Sequence, residues 1–230
     1  MLGIIGAMEQ EVSQVVASMT EVDKKSIAGM EFNRGKFMGR DVIVVKSGIG
    51  KVNAAICAQI LAGIYGVEAI INTGIAGSLK AEINIGDVVL STDAIQHDMD
   101  ATNFGYAPGV IPGMKVSTFV ASEELIEKAY NACKKANPEL GIFKGRVVSG
   151  DQFVSDKETK KRISDTFDAY CTEMEGAAIA QTAFLNDIPF LIIRAISDKA
   201  DDSASVDYDV FEKKAIENSV KLLTALVSDL

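Results

Sequence analysis

Short apolar runs that end in glycine or in polar residues alternate with amphipathic helical segments along the whole chain. After the first run, Leu2–Gly6, apolar residues recur from Val12 at i, i+3, i+4 and i+7, the spacing of one helix face. Val42–Val45 is β-branched throughout, which predicts a strand that is buried on both faces. Strands that alternate with helices favour a three-layer α/β/α sandwich around a mixed sheet.

The remaining pattern predicts further elements of both kinds. The other predicted strands are Glu31–Phe37, Asp41–Ser47, Ala69–Asn72, Asp87–Ser91, a strand that ends at Val147–Gly150, and Phe190–Ile196. The other predicted helices are Glu123–Ala136, Gly176–Leu185, a helix marked by Val52, Ile56 and Ile60, and a final helix whose inner face is Phe211, Ala215, Leu222, Leu223 and Leu226. No linker-like stretch divides these elements, so residues 1–230 are predicted to form a single domain.

The balance of charge excludes several classes of partner. The 230 residues are 48% apolar and 24% charged, with a formal net charge of −9. A negative chain repels the phosphates of nucleic acids and of anionic membranes. No apolar run reaches the ~18 residues of a membrane helix, and the first residues lack the features of a signal peptide. With three widely spaced cysteines, which are typical of reduced thiols, we expect a cytoplasmic protein that binds neither nucleic acid nor membrane.

The single histidine, His97, narrows the chemistry that the chain can perform. Asp98 and Asp100 follow it closely, but one imidazole with two acids is weak support for a metal site. A Ser-His-Asp or Cys-His mechanism would have to use His97, and nothing in the sequence places a serine or cysteine nucleophile beside it. We therefore expect acid–base chemistry by carboxylates, with no metal and no other cofactor.

Acidic residues follow several of the predicted strands. In open α/β sheets, ligands bind beyond the carboxyl ends of the strands, and Glu11, Glu175 and Asp198 all fall at such ends. Each also has a purely structural explanation. Glu11 and Glu175 begin helices, where an acid stabilises by ~0.3–1 kcal/mol, and Asp198 opens an acidic stretch, 198–209, that is typical of a solvated loop.

Six segments, taken together, resemble the bacterial methylthioadenosine/S-adenosylhomocysteine nucleosidases of the nucleoside phosphorylase superfamily. The segments are residues 3–11, 46–52, 71–74, 148–153, 173–178 and 194–198. They occur in the family's order, and the resemblance covers essentially the whole chain. It implies a nucleoside phosphorylase-like fold with a partly barrel-like sheet. It also implies an enzyme that hydrolyses the N-glycosidic bond of an adenine thionucleoside and releases adenine with the thioribose product.

The resemblance implies a role for each of the acidic residues. Glu11 matches the acid that activates the hydrolytic water, and Glu175 matches the group that binds the ribose hydroxyls. Asp198 matches the general acid that protonates adenine N7, with Ser197 holding its orientation. An oxocarbenium-like transition state needs a protonated leaving group and a deprotonated water. We therefore expect a raised pKa at Asp198, whereas Glu11 and Glu175 should stay ionised.

The resemblance also implies the walls of the substrate pocket. Phe153 would stack on adenine, the backbone of Val154 would read the adenine edge, and Met8 and Ile49 would lie near the ribose and the 5′ substituent. The further substrate-binding residues by resemblance are Ala76, Gly77, Met174 and Phe211. In this family the 5′ end of the substrate lies against the neighbouring subunit, where Ala101, Phe104 and Pro112 match the contact positions. The implied assembly is a homodimer with shared active sites.

Local charge favours water over phosphate as the nucleophile. A phosphorylase usually holds its phosphate dianion with arginine near the glycine-rich turns. The turn after the first strand carries Glu9 and Glu11 instead, and residues 73–78 offer no cation. Two alternatives stay open: a sister nucleosidase for a futalosine-type adenine nucleoside, and a non-catalytic nucleoside-binding protein. AMP is disfavoured because its phosphate would meet the same acids.

Overall fold

The computed structural model describes residues 1–230, and it describes their side chains except at 205–207 and 209. The strands are β1 (Leu2–Gly6), β2 (Thr20–Ile27), β3 (Met30–Phe37), β4 (Arg40–Lys46), β5 (Ala69–Ser78), β6 (Val88–Gln96), β7 (Phe119–Val120), β8 (Ile142–Ser149), β9 (Cys171–Glu173) and β10 (Phe190–Asp198). The helices are α1 (Glu9–Ala17), α2 (Lys51–Ile60), α3 (Glu123–Ala136), α4 (Lys157–Phe167), α5 (Gly176–Leu185) and α6 (Ala204–Asp229).

The sheet is mixed, and part of it closes into a barrel. Strands β10, β6, β8, β9 and β5 pair in that order, and β5 also pairs with β10, which completes the ring. From β5 the sheet continues as an open arm through β1, β4, β3 and β2. β1 is parallel to both β4 and β5, and β5 is parallel to β10. The α/β architecture and the partly barrel-like sheet predicted from the sequence are confirmed.

Along the open arm of the sheet, the strands become more exposed from β4 to β2. Val42–Val45 in β4 is fully buried, as its β-branched composition predicts. β2 is exposed along nearly its whole length and pairs only with β3. Its sequence, Thr20–Ile27, is largely polar and charged and so has none of the apolar pattern by which the other strands were predicted. This edge strand was therefore missed.

β5 and β10 extend beyond their predicted ends and bring polar residues to one rim. β5 runs on through Thr73 to Ser78 because it stays in parallel register with β10, where Thr73 pairs with Ile193. A register irregularity separates Ile196 from Asp198, which pairs with Gly77. The glycine-containing segment at 73–77 is therefore strand and not turn. The carboxyl ends of β1, β5 and β10 consequently lie side by side.

The helix that Val52, Ile56 and Ile60 mark in the sequence is α2. Its buried residues are Ala54, Cys57 and Ala58, whereas Val52 and Ile56 are 70% and 41% exposed. Small residues pack inward because α2 lies against the alanine-rich α5. The apolar spacing therefore indicates the helix but lies on its exposed face.

In α6 the residues Ala215, Leu222, Leu223 and Leu226 are buried as predicted, but Phe211 is 38% exposed. The helix begins at Ala204, and β10 ends at Asp198. Within the acidic stretch 198–209, only residues 199–203 therefore form a loop. No helix in the described part of the chain is long and apolar enough to span a membrane.

Candidate active site

A cavity of about 440 Å³ opens at the rim where β1, β5, β9 and β10 end. Its size is that of a small-molecule site. The residues that line it are Ala7, Met8, Glu11, Ile49, Ile75, Ala76, Gly77, Phe153, Thr172, Glu173, Met174, Glu175, Ser197, Asp198 and Tyr208. The predicted acids Glu11, Glu175 and Asp198 are thus brought together, with most of the predicted substrate-binding residues around them.

A second cavity, of about 430 Å³, lies at the opposite ends of β1 and β5. Its polar groups include Arg40 and the amino terminus, and the amino terminus forms an ion pair with Glu68 at 2.7 Å. Glu68 is 83% exposed at its side chain, so water satisfies much of this charge. Asp41 also lines this cavity, but its side chain is 72% exposed, unlike the buried acids at the first cavity.

Glu11 lies in the first turn of α1 and is buried. Its Oε2 accepts hydrogen bonds from the backbone N–H groups of Ala7 and Met8 at 2.7 and 2.9 Å. Its Oε1 accepts one from the N–H of Ile75 on β5 at 3.3 Å. Burial raises the pKa of Glu11, and the charge of Arg194 and these hydrogen bonds oppose the rise. Glu11 therefore caps its own helix and also presents a carboxyl group to the cavity.

Glu175 precedes α5 but does not cap it, because its side chain turns toward another segment. Its Oε1 accepts a hydrogen bond from the N–H of Gly50 at 2.8 Å. Burial, with the neighbouring charge of Glu173, raises the pKa of Glu175 to about 8. These surroundings oppose the ionised form of Glu175 in the unliganded chain, whereas its implied role calls for a carboxylate. Desolvation among like charges explains the difference.

Asp198 ends β10 and is 2% exposed. Its Oδ2 accepts a hydrogen bond from the Ser197 hydroxyl at 2.8 Å, and its Oδ1 accepts one from the N–H of Ala200 at 2.7 Å. The contact with Ser197 agrees with the orienting role implied by resemblance. A solvated loop acid would be exposed, so that structural alternative is wrong for Asp198.

A buried ion pair that the sequence did not reveal lies beneath these acids. Arg194 on β10 forms a close ion pair with Glu173 on β9 and donates to Asn72 Oδ1 at 2.5 Å. Glu173 also accepts hydrogen bonds from the Gly176 N–H, at 2.8 and 3.0 Å, and from the Ser149 hydroxyl. Burial opposes the charge on Arg194, but the carboxyl groups of Glu173 and Glu11 raise its pKa.

Part of the cavity lining is apolar and aromatic. It is formed by Met8, Ile49, Phe153, Met174 and Tyr208. The rings of Phe153 and Tyr208 meet edge to face, with centroids 5.9 Å apart. The Tyr208 hydroxyl lies 3.4 Å from Met8 Sδ and 3.0 Å from Glu212 Oε1. The lining thus combines surface suited to a flat apolar ring with carboxyl groups suited to hydroxyl groups.

Some predicted site residues do not line the cavity in this chain. The Val154 side chain packs in a separate apolar cluster with Val148 and Phe167, and its implied backbone contact with adenine stays a prediction. Phe211 lies outside the lining as well. Ala101 is buried, whereas Phe104 and Pro112 are exposed. Their implied role belongs to a neighbouring subunit and stays a prediction.

Other residues that line or support the site were missed. Ile75, Thr172 and Glu173 line the cavity, and Arg194 lies behind it. Glu173 and Arg194 do belong to the segments that carry the family resemblance, so the motif was a usable signal. Their pairing was not predictable, because it joins strands 21 residues apart in the chain through side chains.

His97 follows β6 and is buried, and neither ring nitrogen has a hydrogen-bond partner among the described residues. Burial lowers its pKa. Asp98, the nearest acid in sequence, pairs with Lys51 at 2.6 Å. No cluster of three or more His, Cys, Asp or Glu residues that could hold a metal ion occurs among the residues that the structure describes.

Taken together, the cavity lining offers carboxyl groups in different environments together with aromatic rings. Glu11 receives backbone hydrogen bonds and the field of Arg194, which favour its ionised form. Asp198 is held by a hydroxyl and one backbone N–H. Such an arrangement can protonate one side of a bound molecule and activate water on the other.

Comparison with known proteins gives a consistent result. The family described as the phosphorylase superfamily matches residues 1–228. A 5′-methylthioadenosine/S-adenosylhomocysteine nucleosidase of Staphylococcus aureus is 42% identical over 231 residues, covering 100% of both chains.

Solved structures agree with that result. The Neisseria meningitidis nucleosidase of the same name, in complex with methylthio-immucillin-A, matches with a TM-score of 0.95 and 38% identity, covering 100% of this chain and 99% of that one. Futalosine hydrolase of Helicobacter pylori also matches, with a TM-score of 0.94 and 31% identity, covering 100% of this chain and 97% of that one.

Proposed function

The chain belongs to the phosphorylase superfamily, among its 5′-methylthioadenosine/S-adenosylhomocysteine nucleosidases, and we propose that it is a hydrolase of those two nucleosides. The reaction cleaves the N-glycosidic bond with water and yields adenine and the 5-thioribose product. The observation that carries the proposal is the convergence of Glu11, Glu175 and Asp198 on one cavity of about 440 Å³.

Asp198 is the proposed general acid. It donates a proton to adenine N7, so that the leaving base departs as a neutral molecule. Its orientation is supported by the Ser197 hydroxyl at 2.8 Å. The proton that Glu11 takes from the hydrolytic water balances this one, and solvent returns a proton to Asp198 as Glu11 releases its own.

Glu11 is the proposed base for the hydrolytic water. Removing a proton from that water lets its oxygen attack the anomeric carbon as the bond to adenine breaks. The raised pKa of Glu11 makes its ionised form a stronger base than an ordinary carboxylate. Its negative charge also favours the positive charge that develops on the sugar.

Glu175 is the proposed partner of the ribose hydroxyl groups. Gly50 occupies Oε1 at 2.8 Å, and the remaining lone pairs can accept from the 2′- and 3′-hydroxyls. Phe153, which is 46% exposed, would stack on adenine. Val154 would read the adenine edge through its backbone. Met8, Ile49 and Met174 would contact the ribose and the 5′ group.

Water is the proposed nucleophile because the site does not offer a free cation for phosphate. Residues 73–78 carry no basic side chain. Arg194 does approach this rim, a point that sequence alone did not reveal. Its guanidinium is engaged by Glu173 and Asn72, and it is absent from the described cavity lining. A phosphate dianion would therefore meet carboxyl groups first.

The proposed assembly is a cytoplasmic homodimer of single-domain subunits. The exposed apolar residues of α2 and α5 beside the cavity support a partner at that surface. Ala101, Phe104 and Pro112 of one subunit would then complete the 5′ pocket of the other. No cofactor is needed for this chemistry.

A futalosine-type adenine nucleoside is the second candidate substrate. It is favoured by the likeness to the H. pylori futalosine hydrolase, with a TM-score of 0.94. Adenine and ribose would meet the same residues, so only the 5′ pocket could separate the two substrates. We rank it second because the S. aureus relative is 42% identical, against 31% for the futalosine hydrolase.

The test is adenine release from 5′-methylthioadenosine by the purified protein, with and without phosphate. We expect equal rates in both buffers and free methylthioribose as the product. Release that requires phosphate and yields a sugar phosphate would identify a phosphorylase. Release from futalosine alone would favour the second candidate.

The variant Asp198→Asn tests whether the chain is instead a nucleoside binder. The enzyme should lose turnover by about 10²-fold or more while it still binds adenine. A protein that only binds nucleosides has no turnover to lose, and its adenine affinity would be the sole measurable property.

A further inference from the structure

We propose that Lys51, Asp98 and Asp151 act together as positioning residues that hold Gly50 against Glu175 and fix the turn that presents Phe153. We name these three residues the clasp. The inference rests on the proposed function, because it concerns the group that would bind ribose and the ring that would stack on adenine. None of the three lines the cavity within the described residues, so they would act through others.

The turn that the clasp holds has a backbone conformation that suits glycine. Gly50 has a φ of +95°, a region that residues with side chains rarely adopt. It immediately precedes α2 and donates its N–H to Glu175 Oε1 at 2.8 Å. A Cβ added at Gly50 would lie 3.2 Å from Asp151 Oδ1. The turn therefore lies against the clasp on one side and holds one Glu175 oxygen through its N–H on the other.

Lys51 donates hydrogen bonds through both its backbone N–H and its side-chain Nζ. Its backbone N–H donates to Asp151 Oδ1 at 2.8 Å, and its Nζ donates to Asp98 Oδ1 at 2.6 Å. Asp98 Oδ2 in turn accepts from the N–H of Asp151 at 2.9 Å. The three residues thus form a closed ring of hydrogen bonds that joins the Gly50 turn to the segment leading into Phe153.

The clasp is sheltered more than an ordinary surface ion pair. The side chains of Lys51 and Asp98 are 18% and 28% exposed, whereas exposed pairs contribute little. Lys51 Nζ also donates to Gln96 Oε1 at 3.0 Å, and Gln96 bonds to Gln181 on α5 at 2.5 Å. α5 begins directly after Glu175, so both segments that position Glu175 are tied to the clasp.

The hydrogen bond from Gly50 has a measurable electrostatic effect. Glu175 faces the carboxyl groups of Glu173 and Glu11, which raise its pKa together with burial, and the charge of Arg194, which lowers it. The Gly50 N–H lowers it as well. If the clasp is broken and Gly50 withdraws, the pKa of Glu175 should move above its present value of about 8. A purely structural role would not produce this shift.

The experiment compares Asp98→Asn and Asp151→Ala with a control. Asp98 accepts two donors of the ring, one on each oxygen, and asparagine is nearly isosteric but offers one acceptor oxygen, so one donor loses its partner. The Asp151 side chain accepts one donor of the ring, the Lys51 N–H, which asparagine could still accept, so alanine is used at that position. The control is Asp41→Asn, which removes the exposed Lys36–Asp41 pair at 3.2 Å, remote from the cavity. kcat and KM for 5′-methylthioadenosine are measured from pH 6 to 9, together with the thermal midpoint.

We expect kcat/KM to fall by about tenfold in both clasp variants, mainly through KM, since a hydrogen bond to a charged group is of that order. The pH dependence of KM should move to higher pH, and the thermal midpoint should change little. Asp41→Asn should match the wild type in every measurement. Wild-type kinetics in the clasp variants, or a loss of kcat/KM that only tracks a lower thermal midpoint, would overturn the proposal.

A second measurement does not depend on catalysis. The pKa of the Glu175 carboxyl group is followed by ¹³C NMR in the unliganded wild type and in Asp98→Asn. A higher pKa in the variant supports the clasp even if the wild type releases no adenine, in which case only the proposed function would fail. If the wild type is active but the pKa of Glu175 is unchanged in Asp98→Asn, the clasp proposal fails and the proposed function stands.

Discussion

At the residue scale, the carboxyl groups of Glu11, Glu175 and Asp198 are made different by what each of them contacts. Glu11 receives three backbone N–H groups and the field of Arg194. Glu175 receives one N–H and lies beside another carboxyl group. Their proposed roles follow from these surroundings, because a carboxyl group performs acid, base or binding work according to its environment.

Glu175 leads to a prediction about pH. Two ribose hydroxyls that donate to its carboxylate would favour the ionised form, so ligand binding should lower its pKa from about 8. A nucleoside analogue that binds at pH 7 should therefore release a proton, and KM should fall as pH rises from 7 toward 9. Calorimetry in buffers of different ionisation enthalpy measures the proton. In Glu175→Gln, release of a proton would contradict the assignment.

His97 leads to a prediction about acid stability. Its pKa is lowered by burial, although the charge of Asp98 and Glu173 opposes this and that of Lys51 and Arg162 adds to it. His97 therefore takes up a proton near pH 6.5 in the unfolded chain, whereas in the folded chain it does so only at lower pH. The resulting loss of unfolding free energy appears as pH falls below 6.5, with an upper limit of about 1.4 kcal/mol per pH unit.

The measurement for His97 is urea unfolding of wild type and His97→Gln at pH 7.5 and 5.5. Other titrating groups are common to both proteins, so the difference between them isolates the histidine. The wild type should lose more unfolding free energy than His97→Gln on acidification. Equal losses would show that His97 is protonated without cost in the folded state.

At the element scale, two glycines of β5 shape the site because they have no side chains. A Cβ at Gly74 would lie 2.7 Å from Glu11 Oε1, and one at Gly77 would lie 2.7 Å from Asp198 Oδ1. Distances under 3 Å force a neighbour to move. The glycines of this strand therefore leave the room in which both carboxyl groups sit. Neither position has a positive φ, so the requirement is for space and not for backbone conformation.

The variant Gly77→Ala tests whether Asp198 needs the room that glycine leaves beside it. The added methyl group should displace Asp198 and lower kcat by tenfold or more, since a 1 Å misplacement can cost about 10² in rate. The control is Gly63→Ala, whose methyl group would meet only the Gln59 amide, at 3.4 Å, and should leave kcat unchanged. Steady-state kinetics with both purified variants decides the matter. A fully active Gly77→Ala enzyme would show that Asp198 tolerates the shift.

The same element shows what could be predicted from the sequence. Ala69–Asn72 was recognisable as strand because its residues are apolar, but its continuation to Ser78 contains glycines and depends on pairing with β10. Glu11 and Asp198 follow apolar runs, and the segment 173–178 that carries the family resemblance includes Glu175. The Arg194–Glu173 pair was not found, because the contact between β10 and β9 is tertiary and no local pattern encodes it. The exposed β2 was missed for lack of apolar periodicity.

At the scale of the whole molecule, the exposed apolar face of α2 points to a partner. Val52 and Ile56 are 70% and 41% exposed, and on the adjoining α5 Phe184 and Leu185 are 43% and 63% exposed. Ile49, which lines the cavity, precedes α2. An apolar surface of this kind beside a ligand site is typical of a protein interface. The helical apolar spacing in the sequence was real, but it faces outward and not toward the core.

We therefore expect the variant Val52→Lys to dissociate the proposed homodimer, because a lysine at the centre of an apolar contact would bury an unpaired charge. Sedimentation velocity should give twice 24.5 kDa for the wild type and a single subunit for the variant. The control Val22→Lys lies on the exposed β2 and should stay dimeric. If the neighbouring subunit completes the 5′ pocket, Val52→Lys should lose activity while Val22→Lys keeps it. A monomeric, active wild type would contradict both the interface and the shared site, and would confine the chemistry to the residues of one chain.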